Sequence, residues 1–173
     1  MSIIFREKKK NQGKGSAIKE GLKYVIGDIV IIQDADLEYE PEDYHLLIKP
    51  IIDGRAKIVY GSRIKGGGRK SYWSFYLGGR LLSFLANLLY NAKITDEATC
   101  YKVFGADVLK KINLKCERFE FCPEVTAKVR KKGYEIYEVP IHYYPRSIEE
   151  GKKINWRDGL EAIWTLIKYK FVD

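Results

Sequence analysis

Residues 28–36 read DIVIIQDAD, and they are the most informative stretch of the sequence for the fold class. Its apolar part, residues 29–32, is a continuous run of β-branched side chains, which predicts a strand buried on both faces, as in parallel sheets. The acidic residues Asp34 and Asp36 follow directly. Open α/β sheets bind their ligands at the carboxyl ends of parallel strands. The stretch therefore predicts an α/β domain with a polar binding site at this strand end.

The segments around this strand alternate between helical and strand patterns. Residues 18–25 place apolar side chains at helical spacing, and residues 41–54 begin with Pro and end with Gly, as helices often do. Residues 56–60 form the next apolar run. This order predicts a Rossmann-like, mostly parallel sheet with helices on both faces, built as a single domain over residues 1–173.

The second half of the chain continues the pattern. Residues 100–104 and 134–144 predict strands, and Pro140 favours an edge position for the second of them. Residues 72–91 are apolar almost all round. Their polar positions form one narrow stripe on a helix: Arg80, Ser83, Asn87 and Asn91. Two interpretations stay open, namely a central helix packed on several sides and a helix at a membrane with its stripe facing the binding site.

The composition narrows the range of partners. Lys and Arg total 31 against 23 Asp and Glu, a net charge of +8, which favours a nucleotide, a nucleic acid or an anionic lipid surface. A merely basic soluble surface is the alternative. The three cysteines form no CxxC pair, which argues against a zinc site and fits a reducing compartment. We find neither a signal peptide nor an uncharged stretch of ~18 residues, and expect a cytoplasmic protein, peripheral at a membrane.

The acidic residues after the first strand predict a metal site. Side chains two apart in an extended stretch point the same way, so Asp34 and Asp36 could bind one Mg²⁺ or Mn²⁺ ion, and Glu38 could add a third oxygen. The alternative is a set of solvated acids at the entry to a helix. A cation held there would neutralise the diphosphate of a nucleotide.

Six segments in order resemble family 2 glycosyltransferases with the GT-A fold. They are NQGKG (11–15), IIQDADLEYEPEDY (31–44), VYGSR (59–63), TDEATCYKVF (95–104), EVPIHYYPR (138–146) and EGKKINWRDG (150–159). The set is most similar to the branch of dolichyl-phosphate mannosyltransferase and the bacterial polyprenyl-phosphate glycosyltransferases. The resemblance covers nearly the whole chain.

The resemblance implies roles for individual residues. Asp34 and Asp36 match the metal-binding DxD motif, and Glu38 matches a metal or donor contact. Lys14 and Arg63 match residues at the donor sugar and phosphates, and a planar guanidinium suits a phosphate. Other basic residues match a cationic pocket for a diphosphate or a lipid phosphate: Arg80, Arg146, Lys152 and Lys153.

Asp96 matches the general base of the family. An inverting transfer needs a carboxylate near the acceptor oxygen, although an ionised phosphate acceptor would need positioning more than proton removal. Glu97 and Ala98 stand where the family usually has an apolar residue followed by Glu. Whether Asp96 or Glu97 acts therefore stays open, and helix capping is the alternative for both.

The family usually begins with a β-α-β unit that binds the nucleotide base, and no such unit precedes Asn11 here. We therefore expect an N-terminally incomplete sheet with an exposed edge through which copies of the chain could associate. The expected function is metal-dependent, inverting transfer of a hexose from a nucleotide-diphosphate sugar to a polyprenyl phosphate. An inactive or regulatory relative is the first alternative. A nucleic-acid-binding module is disfavoured, because the basic residues are scattered among the motifs.

Overall fold

The computed structural model describes residues 10–67, 73–146 and 155–172, together with Phe5 and Glu7. The strands are β1 (Ile29–Ile32), β2 (Ile58–Ser62), β3 (Lys102–Gly105) and β4 (Tyr137–Pro140). The helices are α1 (Lys14–Leu22), α2 (Tyr44–Ile52), α3 (Trp73–Tyr90), α4 (Ala106–Leu109), α5 (Phe121–Lys131) and α6 (Trp156–Phe171), and a 3-10 turn at Pro41–Asp43 leads into α2. The predicted alternation of helices and strands is confirmed.

The four strands form one sheet in the order β1-β3-β2-β4. Strands β1, β2 and β4 run in one direction, because β1 and β2 are both antiparallel to β3 and β4 is parallel to β2. The prediction of a mostly parallel sheet therefore holds for strand direction. It does not hold for pairing, since β3 lies between β1 and β2 and makes both of its pairings antiparallel.

Strand β1 is less buried than its sequence predicts. Ile29, Val30 and Ile31 are half-buried, and Ile32 alone in this strand is buried. Among the described strands, only β3 pairs with β1, so β1 lies at an edge of the sheet. The prediction of burial on both faces was wrong, because an edge strand is covered on fewer sides than a central one.

Strand β4 occupies the other edge, as Pro140 predicted. Beyond it, the chain runs back over the end of β1, where Tyr143 forms an isolated antiparallel bridge with Tyr39. This crossing depends on a close approach at Gly66, where an added Cβ would lie 1.9 Å from the carbonyl oxygen of Ile141. Residues 141–146 are thereby held next to the loop that follows β2.

Helix α2 packs on β2, β3 and β4, whereas α3, α5 and α6 pack on one another. The hydroxyl of Tyr60 in β2 and that of Thr126 in α5 share a hydrogen bond of 2.9 Å, which ties the helix group to the sheet. No helix in the described part of the chain is long and apolar enough to cross a membrane.

Candidate active site

A cavity of about 850 Å³ lies between the ends of β1 and β2 and helices α3 and α6. Eight of the residues singled out from the sequence line it: Lys14, Asp34, Asp36, Glu38, Arg63, Arg80, Asp96 and Glu97. Arg146 is joined to this group through ion pairs, whereas Lys152 and Lys153 lie outside the described residues. The predicted convergence of Asp96 with the DxD residues on one cavity is observed, although about 60 residues separate them in the sequence.

Lys14 and Asp34 form an ion pair in the cavity wall. Lys14 begins α1, and its Nζ lies 2.7 Å from Oδ2 of Asp34 at the end of β1. Burial alone would lower the pKa of Lys14, but Cys122, Cys100 and the carboxylate of Asp34 outweigh it and leave that pKa raised. The backbone N–H of Asp34 donates to Sγ of Cys100 at 3.1 Å, which fixes the strand end against the segment that carries Asp96.

Asp36 pairs with a different basic side chain, that of Arg146. Its Oδ2 accepts a hydrogen bond of 3.2 Å from Nη2 of Arg146. Leu37 has a φ of 59°, so the extended alternation predicted for Asp36 and Glu38 breaks between them. The carboxylates of Asp36 and Glu38 are therefore not neighbours on one face of an extended strand.

Glu38 anchors the segment that crosses over the site. Its Oε1 accepts from the backbone N–H of Arg146 at 2.9 Å, and its Oε2 accepts from the hydroxyl of Tyr143 at 3.2 Å. Among the described residues, no group of three or more His, Cys, Asp or Glu side chains is placed to hold a metal ion. The geometry thus gives Glu38 a structural use that differs from the expected third metal ligand.

Arg63 and Asp96 are joined by a bidentate ion pair. Nε and Nη2 of Arg63 donate to the two oxygens of Asp96, each at 2.7 Å, and the backbone N–H of Arg63 adds a third hydrogen bond of 3.0 Å. Asp96 is 3% exposed. Burial would raise its pKa, but the charge and hydrogen bonds of Arg63 outweigh burial and lower it, so Asp96 is ionised.

This arrangement bears on the general-base role of Asp96, which stays a prediction. Both of its oxygens are already engaged, so taking a proton from an acceptor would require giving up part of the ion pair. The pair instead fixes the guanidinium of Arg63, which also lies over the ring of Tyr143 at 5.0 Å. The geometry therefore favours a positioning role for Asp96 over that of a general base.

The polar stripe of α3 faces the segment that carries Asp96. Nη1 of Arg80 donates to the carbonyl of Thr95 at 3.1 Å, and the side chain of Asn87 makes two hydrogen bonds with the backbone of Ile94. Oγ of Ser83 accepts from the backbone N–H of Glu97 at 2.9 Å. The stripe thus holds residues 94–97 in place. One N–H of Arg80, which was expected to bind phosphate, is used for this contact.

Sequence reasoning missed two side chains of the site, Tyr143 and Glu138. The carboxylate of Glu138 in β4 accepts from the backbone N–H groups of Thr95 and Asp96, at 2.7 and 3.1 Å. The segment 138–146 had been recognised as a motif. Its pattern could not show which side chains point to the site, because the chain crosses from the sheet edge to β1 within it.

The family model described as glycosyl transferase family 2 matches residues 1–113 of this chain. The UDP-N-acetylglucosamine–dolichyl-phosphate N-acetylglucosaminyltransferase of Methanococcus voltae is 31% identical over 177 aligned positions, which cover 97% of this chain and 70% of that protein. The low-salt glycan biosynthesis hexosyltransferase Agl6 of Haloferax volcanii is 28% identical, over 94% of this chain and 39% of that protein.

Solved structures of glucosyl-3-phosphoglycerate synthase from Mycobacterium tuberculosis have a similar fold. The complex with Mn²⁺ and UDP-glucose superposes with a TM-score of 0.69 at 18% identity, over 93% of this chain and 55% of that chain. The complex with Mn²⁺, UDP and phosphoglyceric acid gives a TM-score of 0.68 at 16% identity and the same coverage. This chain thus spans about half the length of those proteins, and the likeness confirms the predicted GT-A fold class.

Proposed function

Because the chain belongs to glycosyl transferase family 2, we propose that it moves a hexose from a nucleotide-diphosphate sugar to a polyprenyl phosphate, with inversion and with a bound divalent cation. The observation that carries this proposal is a single cavity whose wall combines carboxylates, cations and an apolar gap between two helices. The carboxylates can bind a divalent metal ion, the basic side chains can bind phosphates, and the apolar gap can hold a lipid.

The residues present fit a divalent cation. Side chains of Asp34 and Asp36 reach the cavity with 31% and 25% of their surface exposed. Mg²⁺ and Mn²⁺ prefer oxygen ligands, and Mg²⁺ is commonly held by one or two carboxylates together with substrate phosphates. Two protein carboxylates without a third are therefore sufficient when a diphosphate is bound. Such a cation would neutralise the charge that develops on the leaving diphosphate.

Basic side chains of the protein can neutralise the remaining phosphate charge. Lys14 stays protonated beside Asp34, at the position expected for the donor. Arg63 is held by Asp96 through one edge of its guanidinium, and its side chain, 22% exposed, lines the cavity where a phosphate could accept from it. An acceptor phosphate is already ionised, so its oxygen can attack the anomeric carbon without a base. This agrees with an Asp96 that positions Arg63.

The relatives support the acceptor class. The M. voltae protein is named for transfer to dolichyl phosphate, and it matches almost the whole of this chain. The cavity is lined by α3 and α6 residues that are mainly apolar, among them Phe75, Leu82, Leu160 and Ile163. The isoprenoid chain of the acceptor can lie between these two helices while its phosphate group lies at Arg63.

Helices α3 and α6 also expose a shared apolar surface, here called the apolar face. Its exposed side chains on α3 are Trp73, Leu77, Leu81, Phe84 and Leu88, and those on α6 are Trp156, Leu160, Trp164, Ile167 and Phe171. The two helices pack on each other, and each row has helical spacing. Together with the net charge of +8, this supports a peripheral position on the cytoplasmic side of a membrane.

A transfer assay tests the proposal. The protein is incubated with Mn²⁺, a panel of UDP- and GDP-hexoses, and polyprenyl phosphate in anionic liposomes. We expect hexose in the lipid fraction, and none with the Asp34→Asn/Asp36→Asn variant. Binding of a donor without transfer would favour an inactive or regulatory relative. A salt-dependent gel shift with nucleic acid, in the absence of donor binding, would favour the nucleic-acid alternative.

A further inference from the structure

The carboxylate of Glu138 in β4 is buried and fully engaged. Its side chain is 1% exposed, and Glu138 is not one of the described residues that line the cavity. Oε1 accepts from the backbone N–H groups of Thr95 and Asp96, at 2.7 and 3.1 Å. Oε2 accepts from the hydroxyl of Thr95 at 2.9 Å and lies 3.2 Å from Nζ of Lys65. A carboxylate offers about four lone-pair positions, and donors occupy all of them here.

These contacts hold the segment that carries Asp96. Residues 91–98 form neither a helix nor a strand, so no regular ladder of backbone hydrogen bonds fixes their conformation. The N–H groups of Thr95 and Asp96 bond instead to one oxygen of Glu138. Because this contact fixes the backbone from which the side chain of Asp96 extends, Glu138 determines how that carboxylate meets Arg63.

The same carboxylate also holds the turn that carries Arg63. Oγ of Ser62, directly before Arg63, shares a hydrogen bond of 2.7 Å with the hydroxyl of Thr95. That hydroxyl is the one that donates to Glu138. Oγ of Ser62 also accepts from the backbone N–H of Lys65 at 3.1 Å, and Nζ of Lys65 pairs with Glu138. Both partners of the ion pair at the cavity are thus attached to one buried side chain.

We propose that Glu138 is a positioning residue for the transfer: it keeps Asp96 and Arg63 aligned, so that the guanidinium faces the acceptor phosphate. This inference rests on the proposed function and adds a residue that acts from outside the cavity. A bidentate pair depends on the relative placement of its two partners, and a small displacement of a substrate-binding group costs much of its effect. The role requires the geometry of the Glu138 carboxylate and not its charge.

Two conservative variants separate geometry from charge. Glu138→Gln keeps the length of the side chain and one oxygen for the two N–H groups, but it removes the charge. Glu138→Asp keeps the charge, but it is shorter by one methylene group and draws the carboxylate away from Thr95 and Asp96. In the transfer assay at saturating donor, we expect Glu138→Gln to resemble wild type. Glu138→Asp should raise KM for polyprenyl phosphate about 5- to 50-fold with little change in kcat, as for weakened hydrogen bonds to a charged group.

Glu124 supplies the matched control. It is 0% exposed, and its carboxylate accepts from the backbone N–H groups of two successive residues, Lys115 and Cys116, at 2.7 and 2.6 Å. It also pairs with Lys128, but it is not among the described residues that line the cavity. Glu124→Asp should therefore lower Tm as Glu138→Asp does, yet leave KM for the acceptor unchanged. A loss of stability alone cannot produce this difference in proteins that are folded at the assay temperature.

A second measurement does not depend on transfer. Nε–H of Arg63 donates to Asp96 at 2.7 Å, and its nuclear magnetic resonance signal is identified by its loss in Arg63→Lys. This hydrogen should exchange with water about 10-fold faster in Glu138→Asp than in wild type, because exchange follows local opening of the structure. Glu138→Gln and Glu124→Asp should exchange as wild type does.

Thr95→Val takes the place of the Glu138 variants if neither of them folds. It removes the hydroxyl that links Glu138 to Ser62, and it should raise KM and the exchange rate in the same direction. Wild-type values in Glu138→Asp, an equal effect in Glu138→Gln, or wild-type values in Thr95→Val overturn the positioning role. Absence of transfer by the wild-type protein overturns the proposed function itself, and the Nε–H exchange rate then still decides whether Glu138 fixes the ion pair.

Discussion

Arg63 binds both carboxylate oxygens of Asp96 from the side, with two hydrogen bonds of 2.7 Å each. The two residues come from different parts of the chain, since Arg63 follows β2 and Asp96 follows α3. The pair therefore joins the end of the sheet to the segment held by the polar stripe of α3. The pair thereby fixes the orientation of the Arg63 guanidinium at the cavity wall.

Replacing Asp96 with Asn should destabilise the protein by about 3 kcal/mol, because it leaves the largely buried Arg63 without its anionic partner. Urea denaturation measures this change. The control is Asp107→Asn, which removes an exposed ion pair with Lys57 and should cost less than about 1 kcal/mol. Equal stabilities for the two variants would contradict the structural importance of the Arg63–Asp96 pair.

The same variant separates positioning from proton removal. If Asp96 positions Arg63, Asp96→Asn should weaken acceptor binding, and an arginine-to-lysine change at Arg63 should do the same, because lysine cannot bind in a bidentate manner. Both variants should mainly raise KM for polyprenyl phosphate. A general base would instead give Asp96→Asn a large loss in kcat with little change in KM, and Arg63→Lys would not reproduce it.

His142 predicts a pH dependence of stability. Its Nδ1 lies 2.9 Å from Oδ1 of the buried Asp43, and this hydrogen bond and the charge of Asp43 raise the pKa of His142. A raised pKa in the folded state gives stability that is fully present below about pH 6.5 and is lost as the pH rises through the folded-state value. We expect His142→Gln to lower Tm more at pH 5.5 than at pH 8.5. An equal decrease at both values would show that the ionic part contributes nothing.

The order of elements and most of the charged residues that line the cavity could be predicted from the sequence, because both follow local patterns. The β-branched run at residues 29–32 predicted β1, and Pro140 predicted an edge strand. The insertion of β3 between β1 and β2 could not be predicted, since strand order depends on packing between distant segments. The sequence pattern also cannot show which basic side chain pairs with each acid, so the partners of Asp36 and Asp96 are known from the structure alone.

The apolar face predicts binding to anionic membranes at low salt. Replacing Leu160 and Trp164 with Lys should abolish flotation with anionic liposomes, because both side chains are exposed on α6 and each change removes apolar contact area. The matched control is Ile26→Lys, which changes a side chain that is 94% exposed in the segment between α1 and β1. Flotation that is equally weakened by all three changes would mean that the apolar face has no special role. Wild-type protein that stays at the bottom of the gradient would contradict membrane binding.

Arg146 should compete with a divalent cation for Asp36. Its guanidinium lies 3.2 Å from Oδ2 of Asp36 and 3.6 Å from Oε1 of Glu38, so a metal ion must displace it or share the carboxylate. Arg146→Ala should therefore bind Mn²⁺ about 3- to 10-fold more tightly than wild type when no nucleotide is present, a change expected from losing a partly exposed ion pair. With UDP present the order of the two affinities should reverse, because in wild type the displaced guanidinium can bind a phosphate of UDP, whereas the variant has no guanidinium.

Electron paramagnetic resonance of free Mn²⁺ measures both affinities without any turnover. The Asp34→Asn/Asp36→Asn variant supplies the baseline, and Mn²⁺ binding by that variant at wild-type affinity would place the cation elsewhere. A nucleotide-free affinity in Arg146→Ala equal to or below that of wild type would show that Arg146 does not oppose the metal.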